Sequence, residues 1–152
     1  MEIRKILWPT DLSKTAAEAQ PYVAYFSRLL GAEIHLLYVA EDLSRFEHYW
    51  GTGPDPKHTR ELQEHEMELA NKRLEELCQK HLSGCPMYKI HILLGEPAQE
   101  ILKAIEALGV DFVIIAARGL KNIFPFGSVA ERVIKNSPVP VLTINPKTHR
   151  PV

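Results

Sequence analysis

Gly119, Gly127 and Ser128 stand in a loop, Ala116 to Ser128, where main-chain groups could do the binding. A glycine at 119 permits positive φ and lets a ligand approach the backbone closely. Gly127 and Ser128 open a predicted helix whose first amides, unpaired and at the positive end of its dipole, favour a phosphate or another anion. Arg118, beside Gly119, offers that anion a cation. Asp11, after Pro9 and Thr10, could accept hydrogen bonds from ribose hydroxyls, and Val39 could give a flat apolar contact to a base. Together these residue types suit a nucleotide. Taken one at a time they also permit an architectural reading, in which Gly119 turns the chain, Ser128 caps its own helix and Asp11 caps the first helix.

Other constellations are poorer in chemistry. His58 and His65 lie about two turns apart on a predicted helix, with no third ligand in evident reach, and His65-Glu66 lacks the second histidine of a zinc protease motif. No metal site is expected. His35 and His91 fall inside strand-like runs and read as packed or edge residues. Ser27 and Ser44 have no glycine-flanked elbow to expose a nucleophile. With no evident general base, activated nucleophile or carboxylate cluster for magnesium, the residues predict binding and, at most, slow incidental hydrolysis.

The elements that must position these residues follow from apolar periodicity. Ile3–Trp8 reads as a strand stopped by Pro9, and Ser13 as the cap of one helix from Lys14 to about Leu30, ended by Gly31. Ile34–Val39 is a second strand. Residues 41–56 show no period and read as an insertion; a long polar helix over 57–81 follows, with Leu62, Leu69, Leu74, Leu77 and Cys78 as its apolar stripe. Tyr88–Leu94 is a third strand, after which Gly95-Glu96-Pro97 opens a helix that buries Ile101, Leu102, Ile105 and Leu108. Phe112–Ile115 is a strand covered on both faces. Ser128 and Glu131 have capping-box spacing for a short helix to Asn136, and Val139–Ile144 is the last strand.

The order β-α-β-α-β-α-β-α-β implies an α/β fold: a five-stranded, mostly parallel sheet with helices on both faces. In such sheets ligands bind beyond the carboxyl ends of the strands, where strand order reverses, and there the ends of strands one, two and four should meet. At 152 residues the chain suits one domain, here 1–146, with 147–152 as a flexible tail. The net charge of −1 argues against a nucleic-acid binder. No apolar run is long enough to span a membrane and the start lacks a signal-peptide pattern, so a cytoplasmic location is expected. Cys78 and Cys85 read as thiols, the first facing the core and the second in a loop.

Trp8-Pro-Thr-Asp-Leu-Ser13, Leu36-Leu-Tyr-Val-Ala-Glu41, and above all Ile114-Ile-Ala-Ala-Arg-Gly119 followed by Gly127-Ser-Val-Ala-Glu-Arg-Val-Ile-Lys-Asn-Ser-Pro-Val-Pro-Val-Leu-Thr-Ile144 resemble the universal stress protein family over nearly the whole chain. The resemblance implies a Rossmann-like fold of the adenine nucleotide alpha hydrolase type. It implies a stress-response module binding ATP or AMP, with magnesium only if a triphosphate binds. The implied contacts are Pro9, Thr10, Asp11, Val39, Ala116, Arg118, Gly119, Gly127, Ser128 and Val129. The nucleotide-binding branch carries G-x-x-G, nine residues, then G-S or G-T. Here Ala116 replaces the first glycine and seven residues separate Gly119 from Gly127. The shortened stretch contains Ile123, Phe124, Pro125 and Phe126, which could pack on the insertion from Phe46 to Trp50, on a partner subunit, or on the sheet edge. The resemblance also implies a homodimer through the last strand, at Val139, Val141, Leu142, Thr143 and Ile144. Two alternatives stay open: a homodimeric stress-response interaction protein that binds no nucleotide, and a small enzyme of the wider nucleotide-hydrolase group.

Overall fold

In the computed structural model, residues 1–46, 55–85, 87–117 and 128–145 are described. Five strands, β1 (Lys5–Pro9), β2 (Glu33–Ala40), β3 (Tyr88–Leu94), β4 (Phe112–Ala116) and β5 (Val141–Ile144), form one sheet in the order β3-β2-β1-β4-β5. Every neighbouring pair is parallel, with Leu7 opposite His35 on β2 and opposite Val113 on β4. Strands linked this way need crossovers, and the helices that supply them cover both faces.

Strand alternation sorts the core into two halves. Ile6, Trp8, Ile34, Leu36 and Ile114 point to one face, where they pack with Val23 and Ala24 of α2 (Gln20–Leu30) and Leu74 and Cys78 of α3 (Pro56–His81). Leu7, Leu37, Val113 and Ile115 point to the other, against Ile101, Ala104 and Ile105 of α4 (Pro97–Leu108) and Ala130 and Val133 of α5 (Ser128–Asn136). Trp8, Leu7 and Ile114 have no exposed surface, so burial on both faces explains their unbroken apolar run.

Several expected boundaries move. The first helix is two: α1 (Lys14–Ala17), capped by Ser13 Oγ accepting from the Ala16 amide at 3.1 Å, and α2. Pro21 is the cause, since it has no amide to donate and its ring crowds the carbonyl four residues back. Gly31 ends α2 at φ 64°. The last strand begins at Val141, not Val139. Pro140 lacks a donor, and Ser137 Oγ takes both backbone groups of Val139, donating to its carbonyl at 2.8 Å and accepting from its amide at 3.2 Å. Part of the presumed insertion, Leu43–Phe46, forms a 3₁₀ turn.

The apolar face of α3 is corrected in part: Leu74 and Cys78 are buried and Leu77 packs against the core as expected, but the two earlier leucines do not face inward. Leu62 and Leu69 are 48% and 49% exposed, whereas Thr59, Gln63, Ala70, Leu74 and Cys78 point inward. Ala70, Leu74 and Cys78 recur every fourth residue, one position on from the Leu62–Leu69 line, so both sets cannot face the sheet. Polar partners make the inward set tolerable: Gln63 Oε1 accepts from the Leu43 amide at 2.9 Å, and Thr59 Oγ1 donates to the Asp55 carbonyl at 3.4 Å. Cys78 is buried as expected, and burial pushes its thiol up to about 11. Cys85 is half-buried at the turn after α3.

Candidate functional site

The chain leaving β1 turns to the face covered by α2 and α3, while α5 covers the opposite face beside β4. Strand order reverses between these neighbours, so a crevice opens at their carboxyl ends. Pro9, Thr10 and Asp11 at the end of β1, Val39 on β2 and Ala116 at the end of β4 come to the same edge of three adjacent strands. The structure brings these five predicted residues together. Arg118, Gly119 and Gly127, with Ile123, Phe124, Pro125 and Phe126, lie outside the described residues.

The β1–α1 turn is held by its own polar side chains. The Thr10 amide donates to the Leu37 carbonyl at 2.9 Å, tying the turn to β2. Thr10 Oγ1 accepts from the Leu12 amide at 3.1 Å, and Asp11 Oδ1 from the Ser13 amide at 2.9 Å. Asp11 therefore shapes the turn while Ser13 caps the helix, which refines the expectation that Asp11 itself is the cap. Its side chain stands at the exposed edge of the sheet. Leu12 adopts φ 64°, a left-handed conformation unusual for leucine, with its carbonyl receiving Arg73 Nη2 of α3 at 3.2 Å. Arg73 carries no local motif, and only the tertiary structure shows its proximity to this turn.

Ser128 is exposed at the first residue of α5, and Val129, half-buried, packs toward α4. Because β5 starts beside the amino end of β4, the helix before it must run back along the sheet, with its own amino end at the ligand edge. A contact that sequence reasoning missed fixes that end. Glu96, after β3, caps α4 by accepting from the Ala98 and Gln99 amides at 3.3 and 2.9 Å, and its Oε1 lies 2.8 Å from Arg132 Nη1 of α5. Burial pushes the Glu96 carboxyl up, yet the two amides and Arg132 outweigh it and hold the group below the usual carboxylate range. The only sequence signal was Glu96 at a cap position before Pro97.

A groove and a histidine pair lie away from the crevice. A groove of about 390 Å3 beside the ends of β2 and β3 is lined by Asp42, Thr59, Arg60, Gln63, Met67 and Leu94. On the α4 side of the sheet, His35 Nδ1 and His91 Nε2 are 2.9 Å apart, and His35 Nε2 is 2.6 Å from Glu33 Oε1. If the His35 proton is on Nε2, facing Glu33, then His35 Nδ1 accepts and His91 Nε2 donates across their contact. These histidines are packed, as their strand positions predicted. Among the described residues no three His, Cys, Asp or Glu side chains are placed to hold a metal, and no helix is long and apolar enough to cross a membrane.

The fold has counterparts among solved structures. The solved structure of the hypothetical protein MJ0577 superposes with a TM-score of 0.83 at 32% identity, covering 98% of this chain and 100% of that one. The universal stress protein MJ0577 of Methanocaldococcus jannaschii is 35% identical over 95% of this chain and 96% of its own length. The fold also recurs in a universal stress protein in complex with cAMP (16% identity, TM-score 0.63, covering 95% of this chain and 98% of that one). It recurs again in an Arabidopsis thaliana universal stress protein with AMP bound (19% identity, TM-score 0.57, covering 93% and 91%). The pattern of the Universal stress protein family matches residues 2–145, from before β1 to the end of β5. On that match, and on the relative sharing about a third of its residues over nearly the whole of both chains, the chain belongs to the universal stress protein family.

Proposed function

We propose that this chain binds an adenine nucleotide at the carboxyl edge between β1 and β4 and works as a stress-response regulatory module. The observation that carries the reading is the convergence of the Thr10–Asp11 turn, Val39 and Ala116 on the point where strand order reverses. Asp11 accepts a ribose hydroxyl, Val39 meets the base, and the amino end of α5 at Ser128 and Val129 receives phosphate. Pro9 and Thr10 line the floor. Arg118, Gly119 and Gly127 belong to the same site by their place in the family pattern. Two relatives of this fold, one in complex with cAMP and one with AMP bound, support the choice of base and sugar. Because the loop is two residues shorter than the family pattern, AMP is the preferred ligand and ATP, with magnesium, the less favoured one. The site holds the nucleotide without turning it over: the described residues at the crevice supply a carboxylate and backbone donors but no paired base and nucleophile.

β5 leaves one edge of the sheet unpaired among the described residues, which favours a homodimer through Val141, Leu142, Thr143 and Ile144 in the cytoplasm. Calorimetric titration with ATP, ADP and AMP tests the nucleotide reading. Binding of AMP at micromolar to millimolar concentration supports it. No heat from any of the three with the folded dimer present gives the function to the alternative, an interaction protein built on that dimer.

A further inference from the structure

The turn Gly95-Glu96-Pro97 is more elaborate than the start of one helix requires. Gly95 sits at φ 149°, and a Cβ there would come within 2.8 Å of the Glu100 side chain, so the main chain passes close over α4. Its amide donates to the Ala40 carbonyl at 3.0 Å, anchoring the turn to the end of β2. Glu96 is thereby fixed at the carboxyl edge of the sheet, and both its oxygens are occupied by the first amides of α4. The same carboxylate holds Arg132 at 2.8 Å. Arg132 is one turn along from Ser128, and side chains on a helix lean toward its amino end. An arginine in the second turn of α5 that reaches a carboxylate at the sheet's edge thus ties the opening turn of α5 to the end of β2 by way of Glu96 and Gly95.

We infer that Glu96 and Arg132 are positioning residues for the phosphate contact, bracing α5 so that the amides at Ser128 and Val129 stay aimed into the crevice. This rests on the proposed nucleotide site. Neither residue needs to touch the ligand: Glu96 repels a phosphate, and Arg132 is held by Glu96. The remaining ties of α5 lie nearer its far end or on its buried side, where Ala130 and Val133 pack on the core and the Ser137 amide closes the last turn on the Val133 carbonyl at 2.8 Å. The brace is the polar link at its opening turns among the described residues. The pair is partly exposed, with side chains 52% and 32% accessible, so its effect is expected to be modest and local.

The test compares wild type, Arg132→Ala, Arg132→Lys and Glu96→Gln in the full chain. AMP and adenosine affinities are measured by titration, and amide hydrogen exchange at Val133 and Ile134 is measured without ligand. The expected result is an AMP affinity lowered about two- to fivefold in Arg132→Ala, with adenosine affinity unchanged and the loss largely restored by lysine. Glu96→Gln also weakens AMP, and exchange at Val133 and Ile134 quickens about two- to fivefold in Arg132→Ala. A general loss of structure would instead lower AMP and adenosine affinity together, which overturns the inference. So does Glu96→Gln tightening AMP, because a released Arg132 would then be a phosphate ligand itself. If Glu96→Gln does not fold, Arg132→Ala decides alone. If wild type binds neither ligand, the nucleotide reading fails, while the exchange data still judge the brace: faster exchange supports it and unchanged exchange overturns it.

Discussion

Asp11 illustrates how a residue can be architectural and still be placed for binding. One oxygen holds the Ser13 amide, so the side chain is fixed by the turn instead of sweeping solvent. Replacing it with alanine should weaken AMP by about 1 to 3 kcal/mol, the scale of a lost hydrogen bond to a charged group. Asp11→Asn keeps the oxygen that shapes the turn and isolates the charge. Titration of both variants checks this, and unaltered affinity in Asp11→Ala would remove the residue from the site. The placement of Asp11, Val39 and Ala116 at the carboxyl ends of the strands was legible in the sequence because strand ends are marked by local signals such as Pro9. The partners Arg73 and Glu96 were not, since each acts through a contact made only when distant elements pack.

The helices show where periodicity informs and where it misleads. In α4 a compact set of aliphatic residues named the buried face. In α3 the expected stripe holds at Leu74, Leu77 and Cys78 and fails at Leu62 and Leu69, which the fold turns outward while Ala70 and Gln63, the latter satisfying a loop amide, take the inward places. Leu74→Ala should cost about 2 to 5 kcal/mol and Leu62→Ala no more than about 0.5 kcal/mol in denaturant unfolding. The reverse ranking would contradict the burial of Leu74 and the exposure of Leu62. Between β2 and β3, burial lowers the pKa of His35 with help from His91 and Lys5 and against Glu33, and burial and Lys89 lower that of His91. The unfolded chain takes up these protons near its ordinary value of about 6.5, above the folded values, so stability falls as pH drops through this window. Glu33 acts in the same direction at lower pH: burial raises its pKa, but His35 and Lys89 outweigh burial and hold it below the usual range, and that stability is lost as the carboxylate protonates. Thermal melts from about pH 7 to about pH 5.5 should show a falling Tm, and a shallower fall in a His35→Gln/His91→Gln variant. An equal slope in the two proteins would assign the acid sensitivity elsewhere.

For the whole molecule, alternating elements were enough to read an α/β fold, and the all-parallel order reverses between β1 and β4, where the proposed nucleotide site lies. The sequence did not fix the strand order β3-β2-β1-β4-β5, which depends on pairings between distant segments and is seen only in the structure. The far edge at β5 is the proposed dimer seam, where Leu142→Lys should yield monomers in sedimentation while the melting temperature reports whether the core survives. A folded variant that remains dimeric would move the interface. The central claim concerns place as much as ligand, so backbone NMR of the full chain titrated with AMP tests it most directly. The account predicts saturable shifts at Thr10, Asp11, Val39, Ala116, Ser128 and Val129, with little change at His35 or His91. Shifts confined to the groove between Asp42, Gln63 and Leu94, or none at saturating AMP, would contradict it.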